Sequence, residues 1–483
     1  MTAMYENKLP PNAEYYCPGE KHPISRAVHL GRLANFYHAC RQCSHRDDTG
    51  ELSPRQIRQL QETAARHEKT PSLFYDEGVV GVYRNDFGVN DVRDIASAFG
   101  VYVASLESNE TGPPNAISHS NHSNHSNRSN AVVLAGDGRP ITAEIVAAAS
   151  EGLRWAGCPV VDIGSATAAC LVSAVTSSKA RGGLLVGNPG QEPHVVGLKF
   201  WTAGGHPLSL GGSLEPVIAL HRNGVHRPTR IFGDIERCQA DGPYLESLAS
   251  HYHGLRPLRV VLDSASISFT KYFDHLTAST ACSVVPCRVI RSELPTQVRE
   301  DKAHFAACVD GDGETCRILD DQGREVSPEA LMWLLIRHLA AHGFVDEHNT
   351  PKNTTSNVSK TLVVLEHGDS PSEASRWLLQ GVSQLGIGVV FSRPYRSEMA
   401  SAMRQHAALL GGGGSGRFWY PAAQESFSPQ EMSIPDNTCA RGDAGNGYVP
   451  QLDALMTLTT LLEILSRDDT PLSALLDHKS VLG

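Results

Sequence analysis

Residues 131–163 read AVVLAGDGRPITAEIVAAASEGLRWAGCPVVDI. An apolar run (AVVLA) gives way to a polar loop (GDGRPIT), a helical stretch from Ala143 to Ala156, and a second apolar run (PVVDI). Short β-branched runs of this kind suit strands buried on both faces. The helix between them suits a right-handed β-α-β crossover.

The same order returns twice. Residues 258–290 give LRVVL, the loop DSASIS, a helical stretch near Tyr272 to Ala278, and CSVVPCRVI. Residues 361–391 give TLVVLE, HGDSPS, a helix from Glu373 to Leu385, and IGVVF. The repeats begin a domain's length apart, and a chain of 483 residues is too long for one core. The expected fold class is α/β, with three consecutive domains of mixed sheets flanked by helices. One large doubly wound sheet is the competing architecture. Boundaries are expected at 1–70 for an N-terminal module and helix, then 71–228, 229–327 and 328–483 for the three domains. A last helix is expected from Gln451 to Ser466. Two polar tracts, 118–130 (SHSNHSNHSNRSN) and 349–360 (NTPKNTTSNVSK), lack the apolar residues to join a core.

Composition narrows the function classes. A net charge of −10 argues against a nucleic-acid or membrane-surface binder, since either needs a basic face. No apolar run approaches the roughly 18 residues of a membrane span, and the first residues lack a signal-peptide pattern. The expected location is the cytoplasm. Eight of the eleven cysteines are scattered singly beyond residue 150, as reduced thiols are.

The other three belong to an N-terminal cluster. Cys17 lies near His22, and Cys40-Arg41-Gln42-Cys43 is followed by His45. A C-x₂-C pair with another Cys and a His is a ligand set for structural zinc, here Cys17, His22, Cys40 and Cys43, with His45 the alternative fourth ligand. Free cysteines in a helical hairpin and a redox pair Cys40/Cys43 are the other readings. Such a module would dock a protein partner.

A second cluster follows the apolar run Phe305–Val309. Asp310, Asp312 and Glu314 alternate, so their carboxylates can converge on one side of a turn and offer hard oxygens to Mg²⁺. A plain D-G-D-G hairpin turn is the bland alternative.

Several segments match one family in order. Gly136-Asp137-Gly138-Arg139-Pro140 resembles G-R-D-x-R-P-S, and Gly197-Leu198-Lys199 resembles the end of the loop T-A-S-H-N-P-P-x-Y-N-G-I-K. Asp310 to Glu314 resembles the metal loop D-G-D-x-D, and Gly411 to Gly416 resembles the sugar loop G-G-E-x-S-G. From about Leu73 to Leu475 the chain thus resembles the α-D-phosphohexomutases, the phosphoglucomutase/phosphomannomutase family. The resemblance implies a Mg²⁺-assisted phosphoserine enzyme of carbohydrate metabolism acting on sugar phosphates. It implies cleft cations at Arg139 and Lys199, and a sugar contact at Ser415.

The departures fall on the chemistry. The phosphoserine position becomes Pro189 when aligned on Gly197-Leu198-Lys199, or Val186 when aligned on Asn188-Pro189. Neither carries a hydroxyl, and His194, which can accept a phosphoryl group, lies well past the expected place. The loop histidine becomes glycine (Gly190 or Gly187), and an active-site arginine becomes Val80. The arginine after the metal loop becomes Thr315, and the sugar-loop glutamate becomes Gly413. No string resembles the R-x-S-G-T-E-P loop of the family's fourth domain, so that domain is expected to be absent. Phosphoryl transfer through the protein needs a carrier and preorganised charge. The expectation is a catalytically degenerate pseudoenzyme with a residual sugar-phosphate, anion or Mg²⁺ cleft. An active, divergent phosphoglucomutase or phosphomannomutase is the alternative.

Overall fold

Each sequence repeat builds its own sheet, and the three sheets share one five-strand plan. The computed structural model describes residues 14–16, 22–34, 37, 40, 43–50, 52–54, 56–57, 73–106, 131–189, 194–227, 229–342, 362–367, 373–422 and 448–476. The polar tracts at 118–130 and 349–360 lie outside these residues, as does Cys17.

In the first sheet the plan runs Val160–Ser165, Val132–Gly136, Gly182–Gly187, Val195–Thr202, Gly78–Val82. The first two contacts are parallel and the last two antiparallel. The second sheet repeats it as Ser283–Pro286, Arg259–Ser264, Phe305–Val309, Cys316–Leu319, Glu325–Val326. The third uses Gly388–Ser392, Leu362–Glu366, Leu410–Gly412, Phe418–Pro421, Pro450–Leu452. The single doubly wound sheet is therefore ruled out. The first sheet is extended by Phe74–Tyr75 at one edge and by Ile235–Arg237, past residue 228, at the other.

Strand alternation explains how the units pack. Along Val132–Gly136, Val132 and Leu134 enter a core enclosed by the helices Val89–Ser105 and Pro140–Trp155. Val133 and Ala135 face the other way, into a core that continues through Phe269 and Phe305 to Trp333 and Leu458 in the third unit. The two helices touch closely: a Cβ at Gly152 would sit 2.3 Å from the Arg93 carbonyl oxygen. Pro140 begins its helix at the first helical position, where the missing N–H costs nothing.

Three helix starts come earlier or later than the sequence expectation, Pro140 in place of Ala143 among them, and the other two share one reason. Ser266 caps Ile267–Thr277 by accepting the Phe269 N–H at 3.3 Å, so the helix begins before Tyr272. Asp453 caps Ala454–Ser466 by accepting from Met456 at 3.0 Å, which leaves Gln451 in the last strand of the third sheet. Among the described residues no helix is long and apolar enough to cross a membrane.

Candidate functional site

In every sheet the third strand of the plan ends in a hairpin loop, and the three loops meet. They start after Gly187, Val309 and Gly412. The ends of parallel strands are where open α/β sheets place their sites. Backbone hydrogen bonds fix the second loop between the other two units: the helix-starting Ala168 N–H donates to Asp312 O at 2.9 Å, the helix-starting Ala454 N–H to Gly313 O at 3.0 Å, and Cys316 N–H to Gly416 O in the third loop at 3.3 Å.

Asp310, Asp312 and Glu314 are brought together here, all at least 96% buried. Asp310 Oδ1 turns back on its own loop, accepting the Glu314 and Thr315 N–H groups at 2.8 and 3.2 Å. Asp312 Oδ1 accepts the Asn188 N–H at 2.7 Å. Lys199 enters from the strand Val195–Thr202 and sets its Nζ 2.7 Å from Asp312 Oδ2 and 2.5 Å from Glu314 Oε2. The other Glu314 oxygen pairs with Arg396, whose guanidinium carbon lies 4.6 Å from the centre of the Trp201 ring. Glu77 flanks Lys199 at 3.8 Å and pairs with Arg417.

Electrostatics follow from this arrangement. Burial, reinforced by the Asp312 charge, pushes Asp310 up to about 7. Burial would also raise Glu314, but Arg396 and Lys199 outweigh it and hold the carboxyl at about 2. For Lys199 burial opposes the charged form, yet Asp312 and Glu314 overcome it and keep the ammonium protonated far into the alkaline range.

Neither serine-aligned residue faces this cluster with a hydroxyl. Val186 is buried in the core of the first unit, paired in register with Leu198. The loop's approach to Asp312 is made by Gly187 and Asn188: a Cβ on Gly187 would lie 1.9 Å from Asp312 Oδ1. Pro189 packs beside Gly197 at the base of the loop.

Arg139, expected to face the cleft, is instead bound within its own unit. Its Nε donates to Asp137 Oδ2 at 2.6 Å, and Nη2 donates to the carbonyls of Gly187 and Val195 at 3.3 and 3.0 Å. The guanidinium therefore ties together the two ends of the 188–194 loop. Ser415 is exposed on the third loop and donates both its N–H, at 2.9 Å, and its hydroxyl, at 2.5 Å, to Glu366.

The expected metal sets fare differently from the loops that carry them. Among the described residues no group of three or more His, Cys, Asp or Glu is arranged to hold a metal ion. In the acidic loop the reason is visible, since the space between Asp312 and Glu314 is filled by an ammonium and Glu314 also faces a guanidinium. The residues do not fit the resident Mg²⁺ that the resemblance implied. In the N-terminal segment, Cys40 and Cys43 are buried while His22 is exposed. His45 stands edge-on to Tyr15 at 5.3 Å, and the buried ring of His29 stacks on Tyr15 at 4.2 Å.

Sequence reasoning missed Arg396, Trp201, Glu77, Arg417, Asn188 and Glu366. Glu366 carries the clearest lesson. A Cβ at Gly413 would meet Glu366 Oε2 at 3.0 Å, so a carboxylate absent from the Gly-rich loop is supplied beside it by the strand Leu362–Glu366. The only hint in the sequence was the acidic residue closing an apolar run.

The model of the phosphoglucomutase/phosphomannomutase alpha/beta/alpha domain I matches residues 84–211. The phosphoglucosamine mutase of Symbiobacterium thermophilum is 25% identical over 317 residues, covering 62% of this chain and 67% of that protein. The phosphoglucosamine mutase of a Parafrankia strain is 23% identical over 366 residues, covering 71% and 74%. Among solved structures, a phosphoglucomutase/phosphomannomutase family protein from Burkholderia thailandensis superposes with a TM-score of 0.62 at 19% identity, covering 84% of this chain and 79% of that one. A candidate phosphomannomutase from Thermus thermophilus gives 0.62 at 18% identity, covering 85% and 83%. Residues 84–211 match the family's first domain, and the fold and the relatives agree in supporting the α-D-phosphohexomutases as the family this chain resembles.

Proposed function

We propose that this protein is a phosphohexomutase-family member that binds a sugar phosphate or a similar anion without isomerising it, in a regulatory role within carbohydrate metabolism. The observation that carries the reading is the contact of Gly187 and Asn188 backbone with Asp312, where no hydroxyl is available to relay a phosphoryl group. A mutase must hold that group covalently between two sugar positions, and losing the carrier removes the chemical step itself. The commitment of Lys199 to Asp312 and Glu314 supports the same reading, because its ammonium is not left to offset charge on a transferring phosphoryl group. Recognition of sugar hydroxyls remains chemically reasonable at Glu366. An ionised carboxylate offers about four lone-pair sites, and Ser415 uses only two of them.

The N-terminal segment lies outside the family match, and its exposed Tyr16, Val28 and Tyr37 suit it to protein contact. The competing reading, an active mutase, is favoured by the relatives, which are named phosphoglucosamine mutases. A coupled assay for interconversion of hexose or hexosamine 1- and 6-phosphates, with bisphosphate activator and Mg²⁺, separates the two. No turnover with saturable binding by calorimetry is expected. Turnover abolished by Asp310→Ala and Asp312→Ala would establish the mutase instead.

A further inference from the structure

We infer that the Lys199 ammonium is the resident cation of the acidic loop, standing where a divalent ion would otherwise sit, so that this loop binds no metal. The inference rests on side-chain positions alone and holds whether or not the cleft takes a sugar phosphate.

Magnesium needs near-octahedral oxygen ligands at about 2.0–2.1 Å, several of them free to turn toward it. Here five of the six carboxylate oxygens of the loop already face a partner. Asp312 gives one oxygen to the Asn188 N–H and the other to Lys199 Nζ. Glu314 gives one to Lys199 and the other to Arg396. Asp310 Oδ1 is held by two backbone N–H groups. A dication placed between Asp312 and Glu314 would occupy the position of the ammonium and repel it. Lys199 is 2% exposed, so its charge has no route to water from where it stands. Glu77, 3.8 Å from Lys199 Nζ, is already paired with Arg417. The substitution is chemically consistent: one ammonium donates a hydrogen bond to Glu314 and stands in ion-pair contact with Asp312 Oδ2, which has no hydrogen-bond donor of its own, in a buried site.

The test is Mn²⁺ binding followed by electron paramagnetic resonance, with thermal unfolding measured in Mg²⁺, Mn²⁺ or EDTA. The full-length protein is compared with Lys199→Ala, Asp312→Asn and the double variant. Metal held elsewhere, including by the His-rich tract at 118–130, is unchanged by Asp312→Asn, which serves as the reference. The wild type is expected to show no Asp312-dependent Mn²⁺ site up to about millimolar metal and no Mg²⁺-dependent change in Tm. Lys199→Ala is expected to be less stable, to be rescued by divalent metal, and to gain one Mn²⁺ site at least about tenfold tighter, absent from the double variant. A wild-type site lost in Asp312→Asn would overturn the inference, because Lys199 would then yield its place, turning toward Glu77. So would a Lys199→Ala protein that is as stable as wild type and indifferent to metal. If Lys199→Ala does not fold even with Mn²⁺, the wild-type and Asp312→Asn titrations decide by themselves.

Discussion

Arg396 of the third unit pairs with Glu314 of the second while lying on the face of Trp201 from the first. All three side chains are at least 98% buried, so one guanidinium holds three sheets in register. Removing one partner of a buried pair leaves the other charged and unsolvated, typically at a cost of about 3–5 kcal/mol. Arg396→Met should lose about that much in urea unfolding, and Arg396→Met with Glu314→Gln should recover most of it. A single-variant loss below about 1 kcal/mol would mean that water reaches Glu314 and the pair is screened.

Gly187→Ala tests the contact between the first and second loops. The added methyl would meet Asp312 Oδ1 at 1.9 Å, so Asp312 must swing away from both the Asn188 N–H and Lys199. A loss of about 2–4 kcal/mol is expected, in the range of overpacking combined with a broken buried network. Gly242→Ala, where nothing lies within 4 Å, should stay within about 0.5 kcal/mol. Equal Tm values for the two variants would contradict so close an approach of the loops.

Asp453 gives the protein a defined response to pH. Burial raises its carboxyl to about 6, against the lowering effect of its cap bond to Met456 and of the Tyr244 hydroxyl at 2.9–3.0 Å. Between the ordinary carboxylate value and 6 the native state binds the extra proton, so stability falls as pH rises through this window. The full effect is about 3 kcal/mol, at about 1.4 kcal/mol for each pH unit of displacement. Asn at 453 keeps a capping oxygen but does not titrate. The stability of wild type relative to Asp453→Asn should therefore decline from about pH 4 to about pH 6 and level off by about pH 7, as read by thermal unfolding. A constant difference would show that the carboxyl is not displaced.

Arg139→Met should loosen the loop that its guanidinium closes. Hydrogen exchange at Asn188, Val195 and Val196 should accelerate by about tenfold or more, since each lost bond to a charged donor contributes roughly 1.5–3 kcal/mol. Amides in Phe305–Val309, which Arg139 does not touch, should keep their protection. Uniform acceleration in both places would indicate global destabilisation instead.

How much of this was legible in the chain differs by scale. The three β-α-β units could be read because strands buried on both faces are continuous apolar runs, as VVLAG and FAACV are. Asp310, Asp312 and Glu314 were legible as a converging trio because alternation after a strand places them on one side. Their counter-charges were not. Lys199 and Arg396 belong to other units, and no local pattern relates a residue to a partner across two sheets. Glu366 was hidden for the same reason: it restores beside Gly413 a carboxylate whose loss the loop's own sequence suggests. Helix starts slipped where Ser266 and Asp453 act as caps through side-chain geometry rather than through periodicity.

The shared strand plan is threaded differently in the first unit. The second sheet is assembled from residues 259–326 alone, whereas the first recruits Gly78–Val82 from before its central strands and Ile235–Arg237 from after them. During synthesis the opening segment must therefore wait for Val195–Thr202 to emerge before it finds its neighbour. The second unit can close as soon as its own short stretch has left the ribosome. A stalled chain ending shortly after residue 202 would expose an unfinished sheet edge, which makes that interval the natural point for a chaperone to engage.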